Sequence, residues 1–176
     1  MNAGQLILKS RKYTVRRIPV TVATGAVHDY DIVVHPGAAI ILPFLPDGRV
    51  LLIRNFRVAV QQELLELPAG TLDPPEPPIE CARRELTEET GYSAGSLEEL
   101  IVFYSTPGIC TERMHVFAAH DLKPGPTQLE AGERIHPAPM EYDDALRAIH
   151  DGRIVDGKTI VALLFYERFK LNKRNH

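Results

Sequence analysis

Three glutamates cluster near the end of one predicted helix, and their type and spacing are those of a metal site. Glu85, Glu88 and Glu89 share an arc of roughly 100° on the helical wheel. Carboxylates in a last turn lie at the negative end of the helix dipole, which costs roughly a few tenths of a kcal/mol each unless a cation compensates. Since Mg²⁺ prefers carboxylate oxygens and bridges to phosphates, the cluster favours metal-assisted phosphoryl chemistry over a solvated acidic face.

The helix that must position these glutamates lies between residues that stop regular structure. The prolines between Asp73 and Pro78 predict a loop, although proline is tolerated in a first helical turn. Gly91 is the expected stop at the other end. Apolar or small residues at helical spacing form the face that should pack on the core, and these are Ile79, Ala82, Leu86 and Thr90.

The whole stretch resembles a complete Nudix box. Gly70 is followed after five residues by Glu76, and after seven more by the run RELTEETGY from Arg84 to Tyr92. All nine defined positions are filled, which makes the match far more specific than a short motif. The chain is therefore identified as a member of the Nudix family. Membership implies that water attacks a pyrophosphate phosphorus of a nucleoside diphosphate derivative, with divalent metal bound.

The resemblance also implies a role for each acidic position of the box. Glu85 and Glu89 match the principal metal ligands, and Glu88 matches a further ligand or a supporting carboxylate. Arg84 matches the residue that orients them, and its i,i+4 spacing from Glu88 gives that role a physical basis. The backbone carbonyl of Ala69, just before the box, is a further candidate ligand. The implied cofactor is Mg²⁺, with Mn²⁺ as an alternative.

A second stretch resembles the ADP-sugar pyrophosphatase branch of the family. Pro107 and Gly108 form a turn signal shortly after the box, and Glu112 follows downstream. A turn after a strand often has this sequence for structural reasons alone. By the resemblance, Glu112 would reach the terminal ribose, and the reaction would convert ADP-ribose to AMP and ribose 5-phosphate.

Two arginines and one glutamate upstream of the box are candidate substrate-binding residues. The segment Arg54-Asn55-Phe56-Arg57 resembles the arginine-aromatic-arginine segment of ADP-ribose hydrolases, with Asn55 in place of a more usual Gln. The arginines either meet substrate phosphates, which is favoured for Arg57, or are surface cations. Glu66 either orients a phosphate or an arginine, or is a carboxylate on an edge strand.

The general base is expected where the loop from Asp121 to Gly132 leads into residues 130–135, since long loops in compact domains are usually either functional or mobile. In the ADP-ribose branch, a glutamate of this loop ligates a metal or accepts a proton from the attacking water. Glu133 is the better positional match and Glu130 is the alternative. The spacing departs from the family form, and sequence cannot show whether either carboxylate reaches the nucleophile.

Residues 1–35 are predicted to form a small antiparallel sheet separate from the main core. Alternating β-branched segments at residues 13–22 and 30–34 read as its strands. Such a sheet is marginal alone and should dock on another surface. The ADP-sugar hydrolases carry a sheet of this kind and exchange it across a homodimer, so the resemblance implies a homodimer here.

Residues 36–176 are predicted to form the Nudix domain, an α/β (α+β) fold built as an α/β/α sandwich with a mixed central sheet. Apolar segments at 37–44, 50–54, 96–104 and 114–119 read as its strands. Within residues 140–150 a helix is expected, with Asp143 or a neighbour as its N-cap and Gly152 as its stop, and the run 154–166 reads as a final helix, capped near Asp156 or Gly157. The run from Gly152 to Thr159 resembles the start of the family's C-terminal helix.

Composition narrows the function classes. The chain has 176 residues, 44% hydrophobic and 24% charged, with a formal net charge of −3, so nothing favours nucleic-acid binding. Its two cysteines have no metal-binding spacing and are expected to be free thiols. No signal peptide or membrane-length apolar run appears, which predicts a cytoplasmic protein without membrane attachment.

Two alternatives to ADP-ribose hydrolysis stay open. The same chemistry could act on another nucleotide sugar or on a dinucleotide such as NADH, since the box does not separate these substrates. A nucleotide-sensing module without turnover belongs to a different class, but loss of catalytic glutamates would favour it, and Glu85, Glu88 and Glu89 are all present.

Overall fold

Residues near the N-terminus form a three-stranded antiparallel sheet, as the alternating pattern predicts. The computed structural model describes residues 4–129 and 134–171. The sheet consists of β1 (Gln5–Lys9), β2 (Thr14–Thr21) and β3 (Val27–Val34), with β2 in the centre. The first of these strands was not predicted, and it pairs with β2 through a register shift between Leu6 and Leu8.

The remaining strands and helices follow in an order typical of a mixed α/β domain. The strands are β4 (Ala38–Pro43), β5 (Val50–Arg57), β6 (Gln62–Glu66), β7 (Ala69–Thr71), β8 (Tyr92–Ser93), β9 (Ser96–Tyr104), β10 (Arg113–His120), β11 (Lys123–Pro124) and β12 (Ile135–Met140). The helices are α1 (Pro78–Thr90), α2 (Tyr142–His150) and α3 (Gly157–Tyr166), and α3 runs into a π-helical turn, Glu167–Leu171.

Two sheets form the centre of the domain. One has the order β7-β4-β10-β9, in which β4 and β10 are parallel and the other pairs are antiparallel. The other has the order β12-β5-β6 and is antiparallel throughout. A bridge between Phe44 and Val50 connects the two where β4 leads into β5.

Side chains alternate between two cores because successive residues of a strand point to opposite faces. Ile40 and Leu42 of β4 pack in the cluster that includes α2 and α3. Ala39 and Ile41 of the same strand pack in the cluster that includes Cys81, Ala82 and Leu86 of α1. Helices therefore cover both faces, which confirms the predicted α/β/α sandwich with a mixed central sheet.

Strand β12 was not predicted, because Pro137 and Pro139 interrupt its pattern. Both prolines lie on an edge strand and occupy alternate positions, opposite Ile53 and Leu51 of β5. Two residues at alternate positions turn their nitrogens to the same side of a strand, so the missing N–H groups can face the unpaired edge. Among the described residues, no helix is long and apolar enough to cross a membrane.

Candidate functional site

A polar cavity opens beside α1, where the loop after β7 returns to the helix. Most of its lining side chains are charged or polar, and they come from the N-terminal sheet, β5, β7 and α1. They include Lys12, Asn55, Arg57, Asp73, Arg84, Glu85, Glu88 and Glu89. The three glutamates of the box therefore face a cavity, in accord with a metal site and not with a solvated acidic face.

Gly70 is the residue over which the Glu85 carboxylate lies. A Cβ built on Gly70 would stand 1.8 Å from the Glu85 carboxyl carbon, far inside any real contact. Strand β7 can therefore approach α1 only if this position has no side chain. The first glycine of the box thus leaves the space that the carboxylate occupies.

Arg84 holds the acidic side chains around it. Its guanidinium donates to both oxygens of Glu76 at 2.9 and 3.1 Å, to Glu85 at 2.6 Å and to Glu88 at 3.0 Å. The hydrogen bonds to Glu76, together with the attraction of Glu85, raise the pKa of Arg84, while partial burial opposes them. The same contact with Arg84 lowers the pKa of Glu76.

The contacts of Arg84 match the orienting role that the resemblance implies. They also give Glu76 a function that sequence reasoning left unassigned. Glu76 belongs to the loop before α1 and anchors the guanidinium from the side opposite the ligand candidates. In the sequence, the position of Glu76 within the box was the one indication of a role. No local pattern connects Glu76 to Arg84.

Glu89 joins the end of α1 to the start of β7. Its side chain is buried, with the residue only 5% exposed, and Oε2 accepts a hydrogen bond from the Ala69 backbone nitrogen at 3.0 Å. Glu89 and Ala69, two of the predicted ligand positions, are therefore adjacent. A burial of this extent is unusual for a glutamate without a compensating partner.

The donor set fits a hard divalent cation after a local rearrangement. Three carboxylates and a peptide carbonyl are oxygen donors of the kind that Mg²⁺ and Mn²⁺ bind. Across residues 4–129 and 134–171, no group of three or more His, Cys, Asp or Glu side chains is arranged to hold a metal as it stands. Arg84 pairs with oxygens of Glu85 and Glu88, so these side chains would have to release that guanidinium to bind a cation.

Of the two predicted arginines, only Arg57 reaches the cavity. Arg57 and Asn55 line it from one face of β5, whereas Arg54 lies on the opposite face and pairs with Glu63 at 3.5 Å. The Arg54 side chain is 55% exposed. The structure therefore brings Arg57, and not Arg54, to the glutamates of α1.

Glu66 lies beneath Arg57. It is on the edge strand β6, but its residue is 0% exposed, and Arg57 Nη2 stands 2.8 Å from Oε1. Partial burial works to lower the pKa of Arg57, but the adjacent Glu66 carboxylate, together with Glu89 and Asp156, outweighs this effect, and the pKa is raised. Of the interpretations left open for Glu66, the geometry favours an arginine-orienting carboxylate.

Glu112 lines a second cavity that adjoins the first. The two cavities share Lys12 and Arg57, and the second is more apolar, with Phe103, Tyr104 and Met114 in its wall. The loop that carries Glu112 is fixed to β3 by backbone hydrogen bonds from Val33 to Ile109 and from Thr111 to Val33, both 2.9 Å. The predicted ribose ligand therefore stands beside the predicted phosphate site.

Two cations of the N-terminal sheet were missed by sequence reasoning. Arg11 and Lys12 belong to the turn between β1 and β2 and line the first cavity. The Ser10 hydroxyl accepts hydrogen bonds from the backbone nitrogens of Lys12 and Tyr13, each at 3.2 Å, which shapes this turn. Nothing near them in the sequence indicates that they meet α1, because only the docking of the sheet brings them there.

The two candidates for the general base, Glu130 and Glu133, lie outside the described residues. Gln128 is described, and its backbone nitrogen donates to the Glu88 carbonyl at 3.0 Å. The segment before these glutamates is thus attached to the end of α1.

Comparison with known proteins decides the family. The NUDIX domain family matches residues 34–163 of this chain. The chain belongs to the Nudix hydrolase family. This match contains the box, the loop around Glu112 and most of α3, but not Arg11 and Lys12 of the N-terminal sheet.

Individual Nudix proteins resemble the chain over most of their length. An ADP-ribose pyrophosphatase of Bacillus subtilis is 33% identical over 150 residues, which are 84% of this chain and 81% of that protein. A GDP-mannose pyrophosphatase of Yersinia enterocolitica is 41% identical over 138 residues, 73% of this chain and 72% of that protein. The crystal structure of an ADP compounds hydrolase superposes with a TM-score of 0.83 at 23% identity, covering 98% and 97% of the two chains, and supports the fold alone.

Proposed function

We propose that this Nudix hydrolase cleaves the pyrophosphate bond of a nucleoside diphosphate sugar, and that ADP-ribose is converted to AMP and ribose 5-phosphate. The observation that carries the proposal is the arrangement of charge in one cavity. Glu85, Glu88 and Glu89 lie on one wall, while Arg57 and Lys12 lie where this cavity meets the apolar one. Cations that border both cavities are suited to a diphosphate whose two ends occupy different environments.

A divalent cation would be held by Glu85, Glu88, Glu89 and the Ala69 carbonyl, and we propose Mg²⁺, with Mn²⁺ as a substitute. When bound, such an ion polarises the pyrophosphate and lowers the pKa of water. In the free protein, Arg84 pairs with Glu85 and Glu88 and so compensates part of the negative charge on this wall.

Each remaining side chain has a role that its position supports. Arg57 and Lys12 neutralise phosphate charge, and Arg84 orients Glu85 and Glu88. Glu112 accepts hydrogen bonds from sugar hydroxyl groups beside the apolar wall. Glu133, or Glu130 in its place, accepts the proton of the attacking water, a role that rests on the family resemblance.

GDP-mannose is the second candidate substrate, because a GDP-mannose pyrophosphatase has the higher identity to this chain, 41% against 33% for the ADP-ribose pyrophosphatase. That alignment covers a smaller share of the chain. The two substrates share the diphosphate and differ in base and sugar, so the charged cavity serves both equally. The apolar cavity is where they would be distinguished.

A phosphate-release assay coupled to a phosphatase tests the proposal. The phosphatase releases inorganic phosphate from AMP, GMP and sugar phosphates, but not from the intact diphosphates. ADP-ribose, GDP-mannose and NADH are compared at equal concentration with Mg²⁺, with Mn²⁺ and with EDTA. The highest kcat/KM is expected for ADP-ribose with metal. A preference for GDP-mannose would overturn the substrate assignment alone, and turnover of no diphosphate would overturn the enzymatic function.

A further inference from the structure

A buried charge network lies behind the cavity and includes residues with no role in the proposed chemistry. The Glu66 carboxylate, fully buried, has a cation on each side. Arg57 Nη2 stands 2.8 Å from Oε1, and Lys158 Nζ stands 2.5 Å from Oε2. Lys158 also pairs with Asp156 Oδ1 at 2.9 Å. The four side chains carry two positive and two negative charges, so the network is neutral as a whole.

Only one member of this network is open to the phosphate site. The Arg57 side chain is 41% exposed, whereas that of Lys158 is 10% exposed and that of Glu66 is fully buried. Lys158 lines the second cavity, but its side chain is largely buried and its ammonium group pairs with the two carboxylates. Arg57, by contrast, has one flank on Glu66 and the rest of its guanidinium in the cavity wall.

The ion pair between Glu66 and Arg57 involves one carboxylate oxygen, Oε1. Lys158 donates a hydrogen bond to Oε2, but Oε1 has no hydrogen bond of good geometry among the described residues, although Arg57 lies within ion-pair distance. A guanidinium and a carboxylate pair most strongly through two parallel hydrogen bonds, one to each oxygen. Lys158 competes with Arg57 for Oε2, and Arg57 stands beside Oε1 alone while it lines the cavity.

The start of α3 fixes Lys158 in this place. Asp156 is the N-cap of α3, and its Oδ2 accepts from the Thr159 nitrogen at 3.1 Å and from the Thr159 hydroxyl at 2.6 Å. That hydroxyl in turn accepts from the Leu67 backbone nitrogen at 2.8 Å. The cap therefore joins α3 to the end of β6, one residue after Glu66, and sets the distance between Lys158 and the carboxylate.

We propose that Lys158 is a positioning residue for Arg57, which it keeps directed at the substrate phosphate by occupying Glu66 Oε2. Asp156 supports it by fixing the Lys158 ammonium group. The inference rests on the proposed function for its catalytic consequence. Its structural consequence, the conformation of Arg57, is independent of that function.

The structural consequence is tested with a Lys158→Met variant, which keeps the length of the side chain and removes the charge. Its crystal structure is expected to show the Arg57 guanidinium turned inward and bonded to both oxygens of Glu66. An Arg57 that keeps its wild-type conformation, with Oε2 bonded to water, would overturn the proposal. The conformation of Arg57 in this crystal structure can be determined even if the wild-type protein hydrolyses no diphosphate sugar. Absence of hydrolysis would refute only the proposed function.

The catalytic consequence is tested with a double-mutant cycle of Lys158→Met and Arg57→Ala on the kcat/KM for ADP-ribose. In the wild-type background, Lys158→Met should lower kcat/KM by about 10²-fold, the effect of a misplaced catalytic group. In the Arg57→Ala background it should change kcat/KM less than about twofold, because non-additive effects mark residues that act through each other. Equal losses in both backgrounds would show that Lys158 acts independently of Arg57 and would contradict the proposal.

Two further variants separate positioning from folding. Lys170→Met removes a lysine that pairs with Glu98 on the surface, and it should leave kcat/KM unchanged. Asp156→Asn keeps an oxygen for the helix cap but weakens the hold on Lys158, so it should reduce kcat/KM less than Lys158→Met and should also be non-additive with Arg57→Ala. If Lys158→Met does not fold, the Asp156→Asn cycle decides the question, and additivity there would overturn the inference.

Discussion

The three glutamates of α1 differ in how the protein holds them. Glu89 is buried and bonded to the Ala69 backbone nitrogen, whereas Glu85 and Glu88 share Arg84. To bind a metal ion, Glu85 and Glu88 would have to give up their ion pairs with the Arg84 guanidinium. Glu89 is already set against the backbone segment that supplies the predicted carbonyl ligand, and it is the least adjustable of the three.

This difference makes Glu89→Gln the most informative single substitution in the box. Glutamine keeps the volume and an oxygen that can accept from the Ala69 nitrogen, but it loses the charge that a cation needs. Activity should fall by more than the 10–100-fold typical of residues that only support a metal ligand, to about 10³-fold or beyond. Steady-state kinetics with Mg²⁺ measure the loss, and circular dichroism checks that the fold is retained.

Glu80→Gln is the matched control for that substitution. Glu80 is on the same helix, but it is exposed in the first turn and pairs only loosely with Arg83, at 3.7 Å. The Glu80→Gln variant should be as active as the wild type. Near-normal turnover of the Glu89→Gln variant would refute the ligand assignment.

Cys81 makes stability depend on alkaline pH. Burial, with Glu85 and Glu76 adding to it, raises the pKa of its thiol from 9.0 to about 12. The unfolded chain therefore loses this proton above about pH 9 while the folded protein keeps it. The free energy of unfolding should then decrease as pH rises from about 9 to about 12, by up to about 1.4 kcal/mol per pH unit from this group.

Cys81→Ser isolates that contribution. A serine hydroxyl can donate to the same carbonyls that face the thiol, those of Gly70 and Thr71, but it does not ionise in this range. Urea unfolding at pH 8 and pH 10.5 should show a smaller decrease for the variant than for the wild type. Equal decreases would contradict the assigned shift.

The residues of the box were predictable because a local motif and helical periodicity set their spacing. Arg57 and Glu66 were also identified from short segments that resemble the family. Lys12 and Lys158 were not, because only the tertiary fold places Lys12 in the cavities that Arg57 lines and pairs Lys158 with Glu66. Arg54 was a candidate by resemblance, but the two-residue period of β5 places it on the face away from the cavity.

At the scale of elements, the end of α1 leaves no room for a side chain at its last glycine. Gly91 ends the helix at φ 74°, and a Cβ there would stand 2.6 Å from the Gly125 carbonyl oxygen. The Gly125 nitrogen donates back to the Gly91 carbonyl at 2.5 Å. The loop after β10 is therefore packed tightly against the turn that follows Glu88 and Glu89.

Gly91→Ala should destabilise the protein more than Gly48→Ala. Gly48 has a similar backbone, φ 89°, but a Cβ there would meet nothing within 4 Å. The left-handed backbone alone costs alanine roughly 1–2 kcal/mol, and the overlap with Gly125 should add about 1–3 kcal/mol. Urea unfolding measures both variants, and equal losses would show that the contact with Gly125 contributes nothing.

Among the elements, those with a clear period or a strong stop were predicted, such as α1, α3 and the apolar strands β4 and β5. Strand β12 was not, because its two prolines look incompatible with a strand until its edge position is known. Strand β1 was not, because a short strand on the outside of a small sheet has no buried face to impose an alternating pattern.

For the molecule as a whole, the N-terminal sheet presents an apolar surface that the single chain does not cover. Large exposed hydrophobic side chains on it include Leu6, Ile7, Leu8, Val27 and Tyr30. Several large exposed apolar side chains on one small sheet are more typical of an interface than of a solvated face. The homodimer expected from the family resemblance stays our proposal, and this surface supports it.

Light scattering tests the homodimer. The full chain should have the mass of a dimer, and a chain lacking residues 1–35 should be a monomer. A double variant, Leu6→Asp and Leu8→Asp, should also be a monomer while keeping Arg11 and Lys12 in place. A monomeric full-length protein would contradict the proposal.

Hydrolysis itself is the property on which the proposed roles of Glu85, Glu89, Arg57 and Glu112 all depend. The most direct measurement is product analysis by chromatography after incubation with ADP-ribose, with Mg²⁺ and with EDTA. Our account predicts AMP and ribose 5-phosphate in equal amounts with Mg²⁺ and neither product with EDTA. Intact ADP-ribose after incubation with Mg²⁺ or Mn²⁺, together with intact GDP-mannose under the same conditions, would contradict it.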